Sequence, residues 1–159
     1  MRVVIDGLRI EPATLEDLPD LANLLHDLFT QEEDFRPDRD KQMRGLRLIL
    51  EQPSRGRIFV LRSANKMIGM INLLITISTA EGGFVLILED LIIHHDHRGQ
   101  GYGTQLLNYA IEFARQKQFL RITLLTDKPN TPQKNFYRKN GFVESGMVPM
   151  RMYFRENEH

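Results

Sequence analysis

Apolar residues recur along this chain with two periods, and the switches between them mark out its elements. Leu8 to Pro12 alternates briefly and stops at proline, which predicts a short strand. Thr14 then stands where a helix N-cap belongs, with Asp17 three residues on in the manner of a capping box. Leu18, Leu21, Ala22, Leu25, Leu28 and Phe29 share one face of a helix predicted to end near Thr30, and Pro19 sits in its first turn, where proline is tolerated. A polar connection from Gln31 to Asp40 leads to a second helix, from near Lys41 until Pro53, with Met43, Leu46, Ile49 and Leu50 as its apolar side.

The middle of the chain changes to strand periodicity. Ile58 to Arg62 and Met67 to Ile77 are predicted strands joined by a turn at Ser63 to Lys66. Ala80 to Gly83 then returns the chain into Phe84 to Ile93, an apolar run interrupted only by Glu89 and Asp90. An antiparallel meander follows. Leu106, Leu107, Ala110, Ile111 and Ala114 restore helical spacing, and Arg121 to Thr126 reads as a strand that a βαβ crossover makes parallel to Phe84 to Ile93. Beyond the loop Asp127 to Pro132, a short helix is predicted from near Gln133 to Lys139, ended by Asn140-Gly141. Phe142 is expected to start the closing strands and Met147 to Phe154 to return along the sheet, with Pro149 demoting the first part to an edge or bulge. Glu156 to His159 is expected to fray.

Composition narrows what such a chain can do. At 159 residues it fits one domain with one core. Lysine plus arginine and aspartate plus glutamate both number 21, so no broad field favours nucleic acid or an anionic membrane. Cysteine is absent, which removes disulfides, thiolate metal sites and any sulfur nucleophile. The N-terminal residues lack a signal-peptide core and no run is long enough to span a membrane, so the expectation is a cytoplasmic protein.

The most informative stretch is Glu89 to Leu107, where a strand runs into alternating glycines and then a helix. Gly99, Gly101 and Gly103 let the backbone approach a ligand closely. The unpaired N–H groups of a first helical turn favour phosphate, and Arg98 adds a permanent charge suited to two-pronged contact. Two familiar phosphate motifs fail here: Thr104 stands where the dinucleotide fingerprint needs its last glycine, and the Gly-Lys-Ser/Thr of the Walker loop is missing. What remains is Arg-x-x-Gly-x-Gly at Arg98, Gly101 and Gly103.

That pattern, after a strand and before a helix, resembles the pyrophosphate loop of the GNAT superfamily of acetyl-CoA-dependent N-acetyltransferases. A second segment, Asn130-x-x-Gln133-x-x-Phe136-Tyr137-x-x-x-Gly141-Phe142, is similar to the family stretch that closes the cofactor groove, with Gln133 where the family carries a small residue. Leu8 to Leu18 looks like the family's opening strand and helix, so the resemblance covers nearly the whole chain. It implies an α/β (α+β) fold with a mixed, mostly antiparallel central sheet, a splayed parallel strand pair and about four flanking helices, residues 1–159 forming a single N-acetyltransferase domain. It implies acetyl-CoA as cosubstrate. Backbone groups of Leu91, Ile92 and Ile93 would pair with the pantetheine amides, the loop Arg98, Gly99, Gln100, Gly101, Tyr102, Gly103 and Thr104 would take the pyrophosphate, and Asn130 would reach the cofactor arm. Tyr102 is more naturally a groove wall than a catalyst.

The reaction so implied needs a neutral amine, and freeing the lone pair of an alkyl ammonium at neutral pH costs roughly 4 kcal/mol. Glu89 is the expected base, directly or through a water, because an acid on a buried strand should have a raised pKa; pairing with an arginine or a backbone group is the competing account. Tyr137 is the expected general acid toward the departing thiolate, as the resemblance implies, and packing beside Phe136 against Phe142 is its alternative. His94, His95 and His97 lie in a turning segment where neighbours point apart and no carboxylate is spaced to complete a site, so no metal is expected and a polar lip is the simpler account. Glu32, Glu33 and Asp34 would border the acceptor pocket or form a solvated loop. The expected partner is an amine, of a small molecule or a protein, without nucleic acid or membrane; a homodimer stays open, as does the acceptor's identity. The competing readings are a non-catalytic acyl-CoA-binding or sensing module and, against the failed motif tests, a nucleotide-binding module.

Overall fold

The computed structural model describes residues 2–5, 7–29, 38–127 and 129–154. The end of the first helix at Thr30, the connection through Pro37 with Glu32, Glu33 and Asp34, and the terminal Glu156 to His159 lie outside the described residues. The chain forms two units, one up to Leu124 and one from Leu125.

The first unit is built on a six-stranded sheet in sequence order: β1 (Val3–Ile5), β2 (Leu8–Pro12), β3 (Gly56–Ser63), β4 (Lys66–Ser78), β5 (Gly83–Ile93) and β6 (Ile122–Leu124). Every neighbouring pair is antiparallel except β5 and β6, which are parallel because α3 (Tyr102–Gln116) carries the chain back between them. The mixed, mostly antiparallel sheet and its one parallel pair are those expected. β1 is an addition: three residues are too few to show a period, and Gly7, at φ +79°, turns them onto β2.

Strand alternation sends side chains to both faces of this sheet. Ile58, Val60, Met70 and Ile92 meet Leu18, Leu21, Leu25 and Leu46 of the helices α1 (Leu18–Phe29) and α2 (Arg39–Leu50). Phe59 points the other way, its ring 4.9 Å from Tyr109 and 5.1 Å from Phe113 of α3 in edge-on contacts. Gly69 lets α3 come this close. A Cβ there would lie 2.8 Å from the Ile92 carbonyl oxygen and 3.2 Å from a Leu106 methyl.

An ion network ties the entry of α1 to the sheet. The Asp17 carboxylate accepts the Thr14 N–H at 2.8 Å, the capping contact expected, and also takes both Arg62 terminal nitrogens at 3.0 Å. Arg62 Nε donates to Glu11 at 2.8 Å. Burial pushes the Asp17 carboxyl up, but the Arg62 and Thr14 hydrogen bonds outweigh it and hold the group below the usual range. The Arg62 hydrogen bond likewise lowers Glu11, and Asp17 foremost raises Arg62.

α2 starts earlier than its apolar pattern suggests, because Asp38 caps it by accepting the Lys41 N–H at 3.1 Å. In the second unit α4 (Thr131–Lys139) begins at Thr131 with Asn130 as N-cap. The expected closing strands are not formed among the described residues: 143–154 contain no strand, and Met147, Met150 and Phe154 are exposed. Gly146 and Pro149 explain this locally, the first weakening an extended segment and the second removing a ladder donor in its middle. β6 is also shorter than the stretch Arg121 to Thr126.

Candidate functional site

The end of β5 and the entrance to α3 make up the candidate site. The β4–β5 register pairs Asn72 with Asp90 and Leu73 with Leu88, so Glu89 is an extra residue on β5, a β-bulge. The ladder to β6 stops at Leu88 opposite Leu124, while β5 runs on to Ile93. The strand therefore has an unpaired edge beyond the bulge within this sheet, the splay expected of the parallel pair.

Which backbone groups that edge offers follows from the ladder. His94 N–H donates to Ile68 O at 2.7 Å, which makes His94 with Ile68, and two positions back Ile92 with Met70, the hydrogen-bonded pairs. Alternation then turns the N–H and C=O of Leu91 and Ile93 toward the open edge. Of the three expected positions, Ile92 faces β4 and spends its backbone there, whereas Leu91 and Ile93 turn theirs to the open edge. The Ile93 carbonyl already accepts Arg98 Nε at 3.0 Å, a contact that anchors the loop's arginine while leaving its other donors exposed.

Gly99 and Gly101 both have left-handed backbones, at φ +78° and +83°, which L side chains adopt only under strain. A Cβ on either would meet nothing within 4 Å, so conformation and approach, not crowding by the protein, explain glycine here. Gly101 is the N-cap of α3 and has no side chain to cap it. The helical ladder opens with Gln105 N–H to Gly101 O, so the N–H groups of Tyr102, Gly103 and Thr104 precede any intrahelical acceptor. These three consecutive N–H groups and the helix dipole suit a diphosphate, with Gln100 exposed beside them. Acetyl-CoA fits this donor set.

Glu89 is exposed, not buried as the apolar run suggested, because the bulge removes it from the regular alternation. Its carboxylate therefore lacks the desolvation that would favour it as a base. A feature not foreseen lies beside it: Asn72, buried in β4, donates to Asp90 Oδ2 at 3.0 Å, and its own Oδ1 has no partner among the described residues. The signal was available as one amide within the mostly apolar Met67 to Ile77, but its cross-strand partner required the register.

In the second unit, Asn130 caps α4, accepting the Gln133 N–H at 3.1 Å and donating to Gln133 Oε1 at 3.3 Å. Its amide is engaged within its own helix. Tyr137 is buried, edge-on to Phe136 at 5.1 Å and to Phe142 at 5.5 Å. Phe142 N–H donates to Tyr137 O and Gly141 N–H to Arg138 O, with Gly141 at φ +97°. These bonds make a Schellman close whose hydrophobic contact is Tyr137 against Phe142, so the aromatic packing weighed for Tyr137 is present.

The family model described as "Acetyltransferase (GNAT) family" matches residues 18–142, which takes in α1, the bulged strand, the glycine loop and α4. The chain belongs to the GNAT acetyltransferase family. Among GNAT relatives, streptothricin acetyltransferase of Escherichia coli is 37% identical over 60 residues, 38% of this chain and 34% of that protein. Streptothricin acetyltransferase A of Bacillus subtilis is 38% identical over 71 residues, 45% of this chain and 40% of its own length. The matches thus span well under half of these curated relatives. Aminoalkylphosphonate N-acetyltransferase of Salmonella typhimurium is 29% identical over 142 residues, 89% of each chain. The crystal structure of a possible acetyltransferase from Clostridium difficile 630 superposes with a TM-score of 0.81 at 21% identity, covering 97% of this chain and 100% of that one; at such identity it speaks for the GNAT fold alone. No helix among the described residues is long and apolar enough to cross a membrane.

Proposed function

We propose that this chain is an acetyl-CoA-dependent N-acetyltransferase that moves acetyl to a primary amine of a small molecule or protein by direct attack in a ternary complex. The observation that carries the reading is the uncapped N-terminus of α3 behind two left-handed glycines, next to a strand whose edge opens beyond a bulge. Acetyl-CoA supplies an activated thioester. Leu91 and Ile93 hold its amides, while the Arg98–Thr104 loop holds its diphosphate. The amine nitrogen bonds to the thioester carbon, the carbon–sulfur bond breaks, the ammonium proton leaves through Glu89 or a water beside it, and the thiolate gains a proton from Tyr137. An exposed Glu89 suits relay through water better than direct contact with a desolvated amine. Relatives named for streptothricin and aminoalkylphosphonate acetylation support a small amine as the first acceptor class to try.

The test is calorimetry with coenzyme A together with thiol release from acetyl-CoA across an amine panel. Binding and amine-dependent release are expected. Gly101→Val should lose binding, whereas Tyr137→Phe should keep it and lose about 100-fold or more in turnover. Coenzyme A binding without transfer to any amine would favour an acyl-CoA sensor, and full turnover in Tyr137→Phe would remove Tyr137 from the mechanism.

A further inference from the structure

We propose that Asp27, His94 and His95 form a divalent transition-metal site of the zinc class, bridging α1 and the segment that enters the glycine loop. Sequence spacing supplied two histidines without a carboxylate; the fold brings Asp27 to them from α1. One ligand atom from each residue lies within 4.8 Å of the others. A tetrahedral ion with bonds of about 2.0–2.1 Å places neighbouring donors about 3.3 Å apart. His95 Nδ1 and Asp27 Oδ2 stand 3.5 Å apart, long for a hydrogen bond but close to such an edge.

The surroundings of His95 provide a second, independent argument. Its Nε2 lies 3.2 Å from Asp96 Oδ1, so a carboxylate stands behind the ring on the side away from Asp27. Its Nδ1, on the other side of the ring, faces Asp27. A carboxylate behind a ligating imidazole is the usual outer support of a metal-bound histidine. The rings of His94 and His95 are stacked with centroids 4.3 Å apart, which keeps the third donor near the other two, and a turn of one ring about its side-chain bonds aims both lone pairs at one ion. His94 Nδ1 accepts the Asp96 N–H at 3.2 Å. That contact is given up whichever nitrogen binds, because Nδ1 either takes the metal or carries the proton when Nε2 does. Asp27 and His94 line an open groove of about 910 Å³, which leaves room for water as the fourth ligand. Two imidazoles and one carboxylate suit zinc, cobalt or nickel over magnesium or calcium.

The site stands whether or not the transferase reading does, and its test needs no substrate. Untagged protein is titrated with zinc by calorimetry and with cobalt(II) by visible absorption, alongside Asp27→Asn, His95→Ala and, as a groove control, Asp20→Asn. One ion per chain is expected, with the visible bands of a four-coordinate cobalt site. Affinity should fall at least tenfold in the first two variants, folded by circular dichroism, and be unchanged in the third. Absence of saturable binding, or binding indifferent to both ligand variants, overturns the proposal. So does a His95 that titrates as an imidazolium paired with Asp27 and takes up no metal.

Discussion

Arg62 joins residues that the chain keeps far apart: its guanidinium holds Asp17 at the entry to α1 and Glu11 on β2. All three side chains are largely buried, so removing the cation strands Asp17 away from water, while Glu11 keeps Arg2 and Arg9 beside it. Arg62→Met is therefore expected to cost about 2–4 kcal/mol, read from urea unfolding midpoints. A loss below about 1 kcal/mol would mean that solvent reaches the carboxylates freely. The capping half of this network was legible, because Thr14 and Asp17 are three residues apart. Its arginine was not, since nothing local singles out Arg62 among the chain's many cations. The same limit applied to Glu89, whose exposure depends on a register shift and not on the apolar residues around it.

At the scale of elements, the close approach of α3 to the sheet rests on Gly69. An added methyl would press on the Ile92 carbonyl, which is backbone and cannot turn aside, and on Leu106. Gly69→Ala is expected to destabilise the fold by about 1–3 kcal/mol and to displace the start of α3, where the glycine loop is held. Thermal unfolding measures the first effect, and amide chemical-shift changes at Gly101 to Thr104 the second; a neutral melt with unmoved amides would show that β4 and β5 part easily. Helix faces and the meander were readable because their periods are local. The short β1, the length of β6 and the unformed closing strands were not, since the number of residues that pair in a sheet depends on neighbouring strands.

For the molecule as a whole, acidic and basic residues balance near neutral pH, so acid sensitivity is set by particular carboxyls and not by global repulsion. Asp17 and Glu11 are held below their usual range, so the native state binds fewer protons than the unfolded chain. Their contribution is fully present above the unfolded values near 4, and is lost as pH falls through the lowered folded values. Unfolding midpoints should thus drop steeply below about pH 4 and less steeply in Arg62→Met. Equal slopes in the two proteins would place the acid-sensitive groups elsewhere.

Taken alone, the sequence determined what local chemistry can specify: the order of strands and helices, the glycine loop at the head of α3, and the resemblance that led to the family. Each depends on residues within a turn or a period of one another. The tertiary structure decided which side chains share a place. It made Glu89 a bulge, paired Asn72 with Asp90, spent Ile92 on β4 while leaving Leu91 and Ile93 open, and carried Asp27 to two histidines. Such meetings follow from strand register and helix packing, which are set by the burial of the core as a whole and leave no mark at the positions they bring together.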